Sequence, residues 1–174
     1  MTAPVHPTLL NACAKAATAA EARFRIDRPI AGRSARVIAL DEGAVAVVRR
    51  AAAQQPWHDA RFFACDGTSS VAAHGNGGPA EIVLRSADGA TSSLSAALAG
   101  ADVAIVVATS ADGADAASAI THACDVRGIM AAGLILGEAL EADAAVSALR
   151  PYAPVLLVTD DDGDLSELLT ALRA

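Results

Sequence analysis

Short apolar runs alternate with alanine-rich segments along most of this chain. The runs ARVIAL, ARFFAC, ADVAIVVAT, IMAAGLIL and PVLLVT are apolar at most positions, and ARVIAL, ADVAIVVAT and PVLLVT are also rich in β-branched residues. Continuous apolarity is typical of strands in a parallel sheet, because helices cover both of its faces. The segments between the runs contain strong helix formers. The pattern predicts an α/β protein: a three-layer α/β/α sandwich with a mostly parallel, Rossmann-like sheet.

The predicted elements form one structural unit. At 174 residues the chain has the size of a single domain. We expect an N-terminal helix and connector over residues 1–34, and the α/β domain over residues 35–174. Asp88-Gly89 predicts a hairpin turn. Residues 66–79, dense in glycine and small polar residues, are expected to form a loop.

Composition and charge argue against some classes of partner, and the sequence also indicates a location. Aromatic residues make up only 3% of the chain, so the core is expected to pack small side chains between helices and sheet. The formal net charge is -7, and Lys15 is the only lysine. A clustered cationic face for nucleic-acid phosphates or anionic lipids is therefore not expected. Because neither a membrane-spanning run nor a secretory leader is recognisable, we expect a cytoplasmic protein.

The three cysteines give no metal-binding pattern. Cys13, Cys65 and Cys124 are far apart and form no C-x-x-C pair, so we interpret them as small buried thiols. A metal site built from His122, Cys124 and Cys65 is an alternative, but closed zinc sites usually take closely spaced ligand pairs. A phosphoacceptor receiver domain would need a lysine after a late strand, and Lys15 lies in the N-terminal helix segment.

Acidic residues follow most of the predicted strands. In an open parallel sheet, ligands bind outside the carboxyl ends of the strands, where helix N-termini attract anions. A carboxylate at such a helix start occupies the anion site itself. Most of these acids are expected to cap helices, with capping boxes at Asp164/Glu167 and Asp112/Asp115. Three consecutive aspartates from Asp160 exceed what capping requires and indicate a divalent cation or a basic partner.

The segment SAALAGADVAIVVATSADGADAASAITHACDVRGIMAAGLIL is similar to part of the tubulin/FtsZ GTPase family, in which a glycine-rich loop holds the nucleotide phosphates. The resemblance covers roughly residues 35–136 and places that loop at Ser110–Ser118. It also places a first glycine loop at Asp41–Gly43 and an acidic residue, Asp66, near the nucleotide. Most of the family's loop glycines are replaced here, and Gly113 is retained. Added side chains block the approach of a phosphate, and added carboxylates repel it. The resemblance implies the scaffold, and the replacements argue against GTPase activity.

Two hypotheses for the function follow. The first is a non-catalytic accessory or scaffold protein with a degenerate nucleotide site, acting by self-association or partner binding. Alanine-rich helix faces such as AAVSAL make a homodimer plausible. The second is an enzyme or small-molecule-binding protein whose acidic edge gathers Mg²⁺ or a cationic substrate, through Asp41, Asp66, Asp112 and Asp160. The candidate ligand-binding residues are Asp41, Glu42, Gly43, Asp66, Ser110, Asp112, Gly113 and Asp115, and the candidate metal ligands are Asp160 and Asp162.

Overall fold

A computed structural model of the chain describes residues 32–65, 71–72, 81–137 and 143–174. For residues 71, 72 and 81 the description is limited to the backbone. All of these residues lie in one compact unit, Ala31–Ala174. The helix predicted near the N-terminus and Asp66 lie outside the described residues.

The described part of the chain confirms the alternation of strands and helices predicted from residue 35 onward. One prediction was incomplete, because the segment expected to be a loop contains a two-residue strand, β3, that pairs with β4. The strands are β1 (Ala35–Ala39), β2 (Ala60–Cys65), β3 (Val71–Ala72), β4 (Glu81–Ser86), β5 (Thr91–Ser93), β6 (Val103–Ala108), β7 (Met130–Leu136) and β8 (Val155–Thr159). The helices are α1 (Glu42–Gln54), α2 (Leu94–Ala97), α3 (Ala114–Val126), α4 (Asp143–Leu149) and α5 (Asp164–Leu172).

The strands form a mixed sheet in the order β3-β4-β2-β1-β6-β7-β8, with β5 paired to β4. β2, β1, β6, β7 and β8 are parallel to one another, so the predicted parallel character is confirmed for most of the sheet. β4 is antiparallel to β2, and β3 and β5 are antiparallel to β4. The predicted hairpin at Asp88-Gly89 joins β4 to β5: Gly89 has φ +88, and its N–H donates to the Ser86 carbonyl at 2.9 Å.

Buried apolar side chains lie on both faces of the sheet. Successive β1 side chains alternate between two core clusters: Val37 packs with residues of α1 and α5, and Ile38 packs with residues of α3 and α4. Every residue of β1 and β6 is buried. Helices therefore cover the central strands on both sides, as continuous apolar runs require. Among the described residues, no helix is long and apolar enough to cross a membrane.

In the described part of the chain, one charged side chain is buried in this core. Arg36 of β1 is 4% exposed, and its guanidinium donates to the carbonyls of Ala97 at 2.9 Å and Ala99 at 3.0 Å. It also donates to the Ser34 hydroxyl and the Ala35 carbonyl. Burial lowers the pKa of Arg36 from its ordinary value, and the nearby charge of Arg61 adds to the effect. Arg36 therefore connects the end of α2 to the central strand β1. The sequence shows only a charged residue within an apolar run, which did not predict this role.

Candidate functional site

The strand order places a topological switch point between β1 and β6. After β1 the chain continues to β2 on one side, whereas β6 pairs with the other side of β1 and leads on to β7. The helices that follow these two strands, α1 and α3, pack on opposite faces of the sheet. In open α/β sheets the crevice between two such loops is the usual ligand site. The loops after β1 and β6 therefore form the candidate functional site.

Asp41 bridges the two loops across this switch point. It is the N-cap of α1, where its Oδ1 accepts a hydrogen bond from the Ala44 N–H at 2.8 Å. The same oxygen accepts from the Thr109 hydroxyl at 2.6 Å. Its Oδ2 accepts from the backbone N–H groups of Thr109 at 2.7 Å and Ser110 at 3.2 Å. One half-buried carboxylate thus takes up three backbone N–H groups and one hydroxyl, the donors that a bound phosphate would otherwise use.

Two glycines allow this close approach. A Cβ on Gly43 would lie 2.2 Å from Thr109 Oγ1 and 3.3 Å from Asp41 Oδ1, so a side chain here would push the two loops apart. Gly113 has φ +87 and is the N-cap of α3. A Cβ there would lie 3.1 Å from both the Cβ and the carbonyl oxygen of Leu40. Both glycines were predicted as ligand-binding residues, and both lie where the loops pack against each other.

The other acids of the loop after β6 are in different surroundings. Asp112 and Asp115 are exposed, and Ser110 Oγ accepts a hydrogen bond from the Asp112 N–H at 3.2 Å. The capping box predicted for Asp112/Asp115 is wrong, because α3 begins at Ala114 and its N-cap is Gly113, without a side-chain cap. Asp115 lies in the first turn of α3, where a negative charge interacts favourably with the helix dipole.

The acidic run after β8 makes contacts within the run and with α1. Asp160 is exposed, the Asp161 carboxylate accepts from the Gly163 N–H at 2.7 Å, and Asp162 forms an ion pair with Arg50 at 2.6 Å. The capping box predicted for Asp164/Glu167 is also wrong. The N-cap of α5 is Gly163, which places both acids inside the first turn. The predicted metal ligands Asp160 and Asp162 therefore lie at one edge of the sheet, with Asp162 held by a cation of α1.

A groove of about 700 Å³ lies beside Asp41. Arg49 of α1 and Arg85 of β4 contribute to its walls, together with the acidic residues Glu42 and Asp112. Arg85 reaches this end of the sheet because β4 is antiparallel and pairs Arg85 with Ala64 near the end of β2. The groove therefore presents both signs of charge, whereas the sequence indicated an acidic edge. It is lined by Leu40, Asp41, Glu42, Val45, Arg49, Ala64, Cys65, Arg85, Asp112 and Gly113.

The described residues contain no group of three or more His, Cys, Asp or Glu side chains that could hold a metal ion. Because β6 and β7 lie between β1 and β8, Asp160 is roughly 14 Å from Asp41 in the direction across the strands. The alternative site of His122, Cys124 and Cys65 is likewise not assembled. His122 is exposed and contacts the Tyr152 ring edge-on, and burial raises the pKa of the Cys124 thiol to about 11.

Sequence reasoning missed three residues of this site. Thr109 was assigned to the end of a strand, yet its N–H and hydroxyl both bind Asp41. A polar residue closing an apolar run is the signal that could have identified it. Arg49 lies on the exposed side of a predicted helix, which gives no signal. Arg85 could be placed only by knowing that β4 runs antiparallel to β2.

No protein-family model matches this chain, and no curated protein matches it significantly. The similarity to the tubulin/FtsZ family therefore rests on the residues quoted above and stays a prediction.

Proposed function

We propose that this protein is a non-catalytic accessory or scaffold protein, built on a degenerate Rossmann-like domain and acting by self-association or partner binding. The observation that carries the proposal is the Asp41 carboxylate at the β1/β6 switch point, with its four hydrogen bonds. The proposal includes a three-layer α/β/α arrangement, which the two core clusters on opposite faces of the sheet support. It also includes descent of the scaffold from a tubulin/FtsZ-like domain.

A nucleotide phosphate would meet two obstacles at this switch point. The N–H groups of Ala44, Thr109 and Ser110 already donate to Asp41. They can donate to a phosphate only if their hydrogen bonds to Asp41 break first. A phosphate placed beside the carboxylate would also bring two negative charges within a few ångströms of each other, which is unfavourable even at a half-buried site. These two effects oppose GTP binding and GTP hydrolysis.

Thermal unfolding with candidate ligands tests this proposal. A ligand present at about 100 times its dissociation constant adds about 2.7 kcal/mol of stability, which shifts the Tm of a domain of this size by several degrees. We expect no shift of the wild-type Tm with GTP, ATP, NAD, Mg²⁺ or Ca²⁺. A clear shift with GTP would overturn the proposal.

A variant with an opened site provides the matched measurement. Asp41→Ala removes the carboxylate and leaves the three N–H groups to solvent. We expect inorganic phosphate to raise the Tm of Asp41→Ala but to leave that of the wild type unchanged. Asp112→Ala removes an exposed carboxylate from the same groove and is the control, because its Tm should not respond to phosphate. If Asp41→Ala and the control behave alike, Asp41 does not occupy an anion site.

The second candidate function is binding of a small molecule at the acidic edge. The groove beside Asp41 favours it, because Arg49 and Arg85 together with Glu42 and Asp112 would suit a ligand that carries both charges. A compound that raises the Tm of the wild type but not of Arg49→Glu would support this function over the first. Mg²⁺ is the metal that the acidic residues would suit, and its effect on the wild-type Tm is measured in the same assay.

A further inference from the structure

β8 forms one end of the sheet, and its apolar side chains are exposed. Among the described residues β7 is its one strand partner. Val155 is 48% exposed, Leu157 40% and Val158 42%. The strand, VLLVT, contains no charged residue. Edge strands usually carry charges, proline or a bulge that prevent pairing with another chain. The hairpin strand β5 on the far side of β4, with the sequence TSS, is polar by comparison.

The backbone of β8 is suited to pairing with itself. The Gly137 N–H donates to the Thr159 carbonyl at 2.9 Å, so Thr159 directs its backbone groups toward β7. Backbone groups alternate in direction along a strand of a parallel pair. The N–H and carbonyl groups of Leu156 and Val158 therefore face away from β7, and this spacing is symmetric about Leu157.

We propose that β8 pairs antiparallel with β8 of a second copy of this chain, about a two-fold axis at Leu157. This inference rests on the proposed function, for which it supplies the surface of self-association. In this register Leu156 of each copy forms a hydrogen-bonded pair with Val158 of the other, so all four outward backbone donors find acceptors. Leu157 lies directly opposite its symmetry mate, as a two-fold interface requires.

Charge favours the antiparallel orientation and a second copy as the partner. The exposed residues Asp160 and Asp161 follow β8 at one end, and exposed Arg150 precedes it at the other. Antiparallel pairing brings the acidic end of each strand toward the Arg150 end of its partner and separates the two acidic runs. The register also places Val155 and Leu157 of both copies on one face of the joined sheet, where Leu157 packs against its symmetry mate and Val155 lies opposite Thr159 and diagonal to Leu157 of the other copy.

The interface is small. A single pair of short strands buries less than the roughly 1,200 Å² typical of stable complexes, so the dimer is expected to dissociate at micromolar concentrations. Sedimentation velocity of the full chain up to about 100 µM should therefore show a mass approaching twice the 17.4 kDa of one chain as concentration rises. Leu157→Lys should weaken this association at least about tenfold, because two ammonium groups would meet at the axis.

Val126→Lys is the matched control. Val126 is the most exposed large apolar residue described, at 70%, and it is the last residue of α3. This variant should dimerise like the wild type. Circular dichroism checks that both variants fold, which we expect because both positions are exposed. A wild type that stays monomeric over the whole concentration range, or equal weakening by the two substitutions, would overturn the inference.

Disulfide formation tests the register without adding a charge. Leu157→Cys should cross-link two copies under mild oxidation, because residues opposite each other in a non-hydrogen-bonded pair have Cα atoms about 4.5 Å apart. Val158→Cys should not, because position 158 lies opposite 156. The wild type under the same oxidant controls for its own cysteines. Equal cross-linking of both variants would overturn the register. The Tm measurements with nucleotides do not depend on dimerisation, so failure of the interface and failure of the proposed function are told apart.

Discussion

Replacement of Asp41 by asparagine separates a bridging role from a simple helix cap. Asparagine is as good an N-cap as aspartate, so a residue that only capped α1 would tolerate the change. In this structure each carboxylate oxygen accepts two hydrogen bonds, Oδ1 from Ala44 and the Thr109 hydroxyl, and Oδ2 from the N–H groups of Thr109 and Ser110. An asparagine side chain has one oxygen; when that oxygen caps α1 from the Oδ1 position, the NH₂ group faces the N–H groups of Thr109 and Ser110, which are both donors.

The expected cost follows from those bonds. Two hydrogen bonds to a charged acceptor are lost, and such bonds contribute about 1.5–3 kcal/mol each when buried. Because Asp41 is half-buried and water can reach part of the site, we expect a loss of about 2 kcal/mol in the free energy of unfolding. For a chain of this length that lowers the Tm by roughly 4–8 °C.

Urea unfolding of the wild type, Asp41→Asn and Asp112→Asn provides the measurement. Asp112 is exposed in the same groove, and its replacement should change the free energy of unfolding by less than about 0.5 kcal/mol. An Asp41→Asn variant as stable as the Asp112→Asn control would refute the bridging role. It would leave Asp41 as an ordinary helix cap.

Three further outcomes are expected. Gly43→Ala should lower the free energy of unfolding by about 1–3 kcal/mol, because its Cβ would lie 2.2 Å from Thr109 Oγ1. In a Thr109→Ala background the loss should be smaller, and urea unfolding measures both. Arg36→Lys should cost about 2–4 kcal/mol, since a lysine cannot reach the four acceptors of the buried guanidinium, whereas exposed Arg61→Lys should be nearly neutral in the same assay. The Cys124 thiol has a pKa of about 11 when folded and about 9 when unfolded, so the stability it contributes is complete below pH 9 and is lost as the pH rises toward 11. Urea unfolding at pH 8 and pH 10.5 should show a smaller decrease for Cys124→Ala than for the wild type.

The order and type of most elements could be predicted because most strands are marked by their own residues. β1 and β6 are buried on both faces, and their apolar runs reflect that burial directly. No residue pattern in the sequence indicated that β4 runs antiparallel to β2. It depends on the hairpin to β5 and on the pairing of Ala64 with Arg85, which are properties of the assembled sheet.

The sequence could place the candidate site residues after strands of the sheet, but it could not show which of them contact one another, for the same reason. Asp41, Gly43 and Gly113 were identified because they follow strands at the edge where ligands bind. The contact that joins them, between Asp41 and Thr109, spans 68 residues of sequence and exists only because β1 and β6 are neighbours. The capping box predicted at Asp112/Asp115 was wrong, because the N-cap of α3 is Gly113, the residue after Asp112.

An anion site can be lost in two ways that differ in their effect on stability. Side chains that merely block a phosphate leave the backbone N–H groups of the loop without acceptors, which is unfavourable wherever water is excluded. Asp41 instead supplies the acceptor itself and satisfies N–H groups of both loops. Under the proposed function, the contact that would exclude a phosphate is therefore also one that joins the loops after β1 and β6 at the switch point. Variants at Asp41 should accordingly lose stability and gain anion affinity. When the carboxylate is removed, we expect the free energy of unfolding to fall. We also expect added phosphate to stabilise the protein more, because the same three N–H groups can then donate to it.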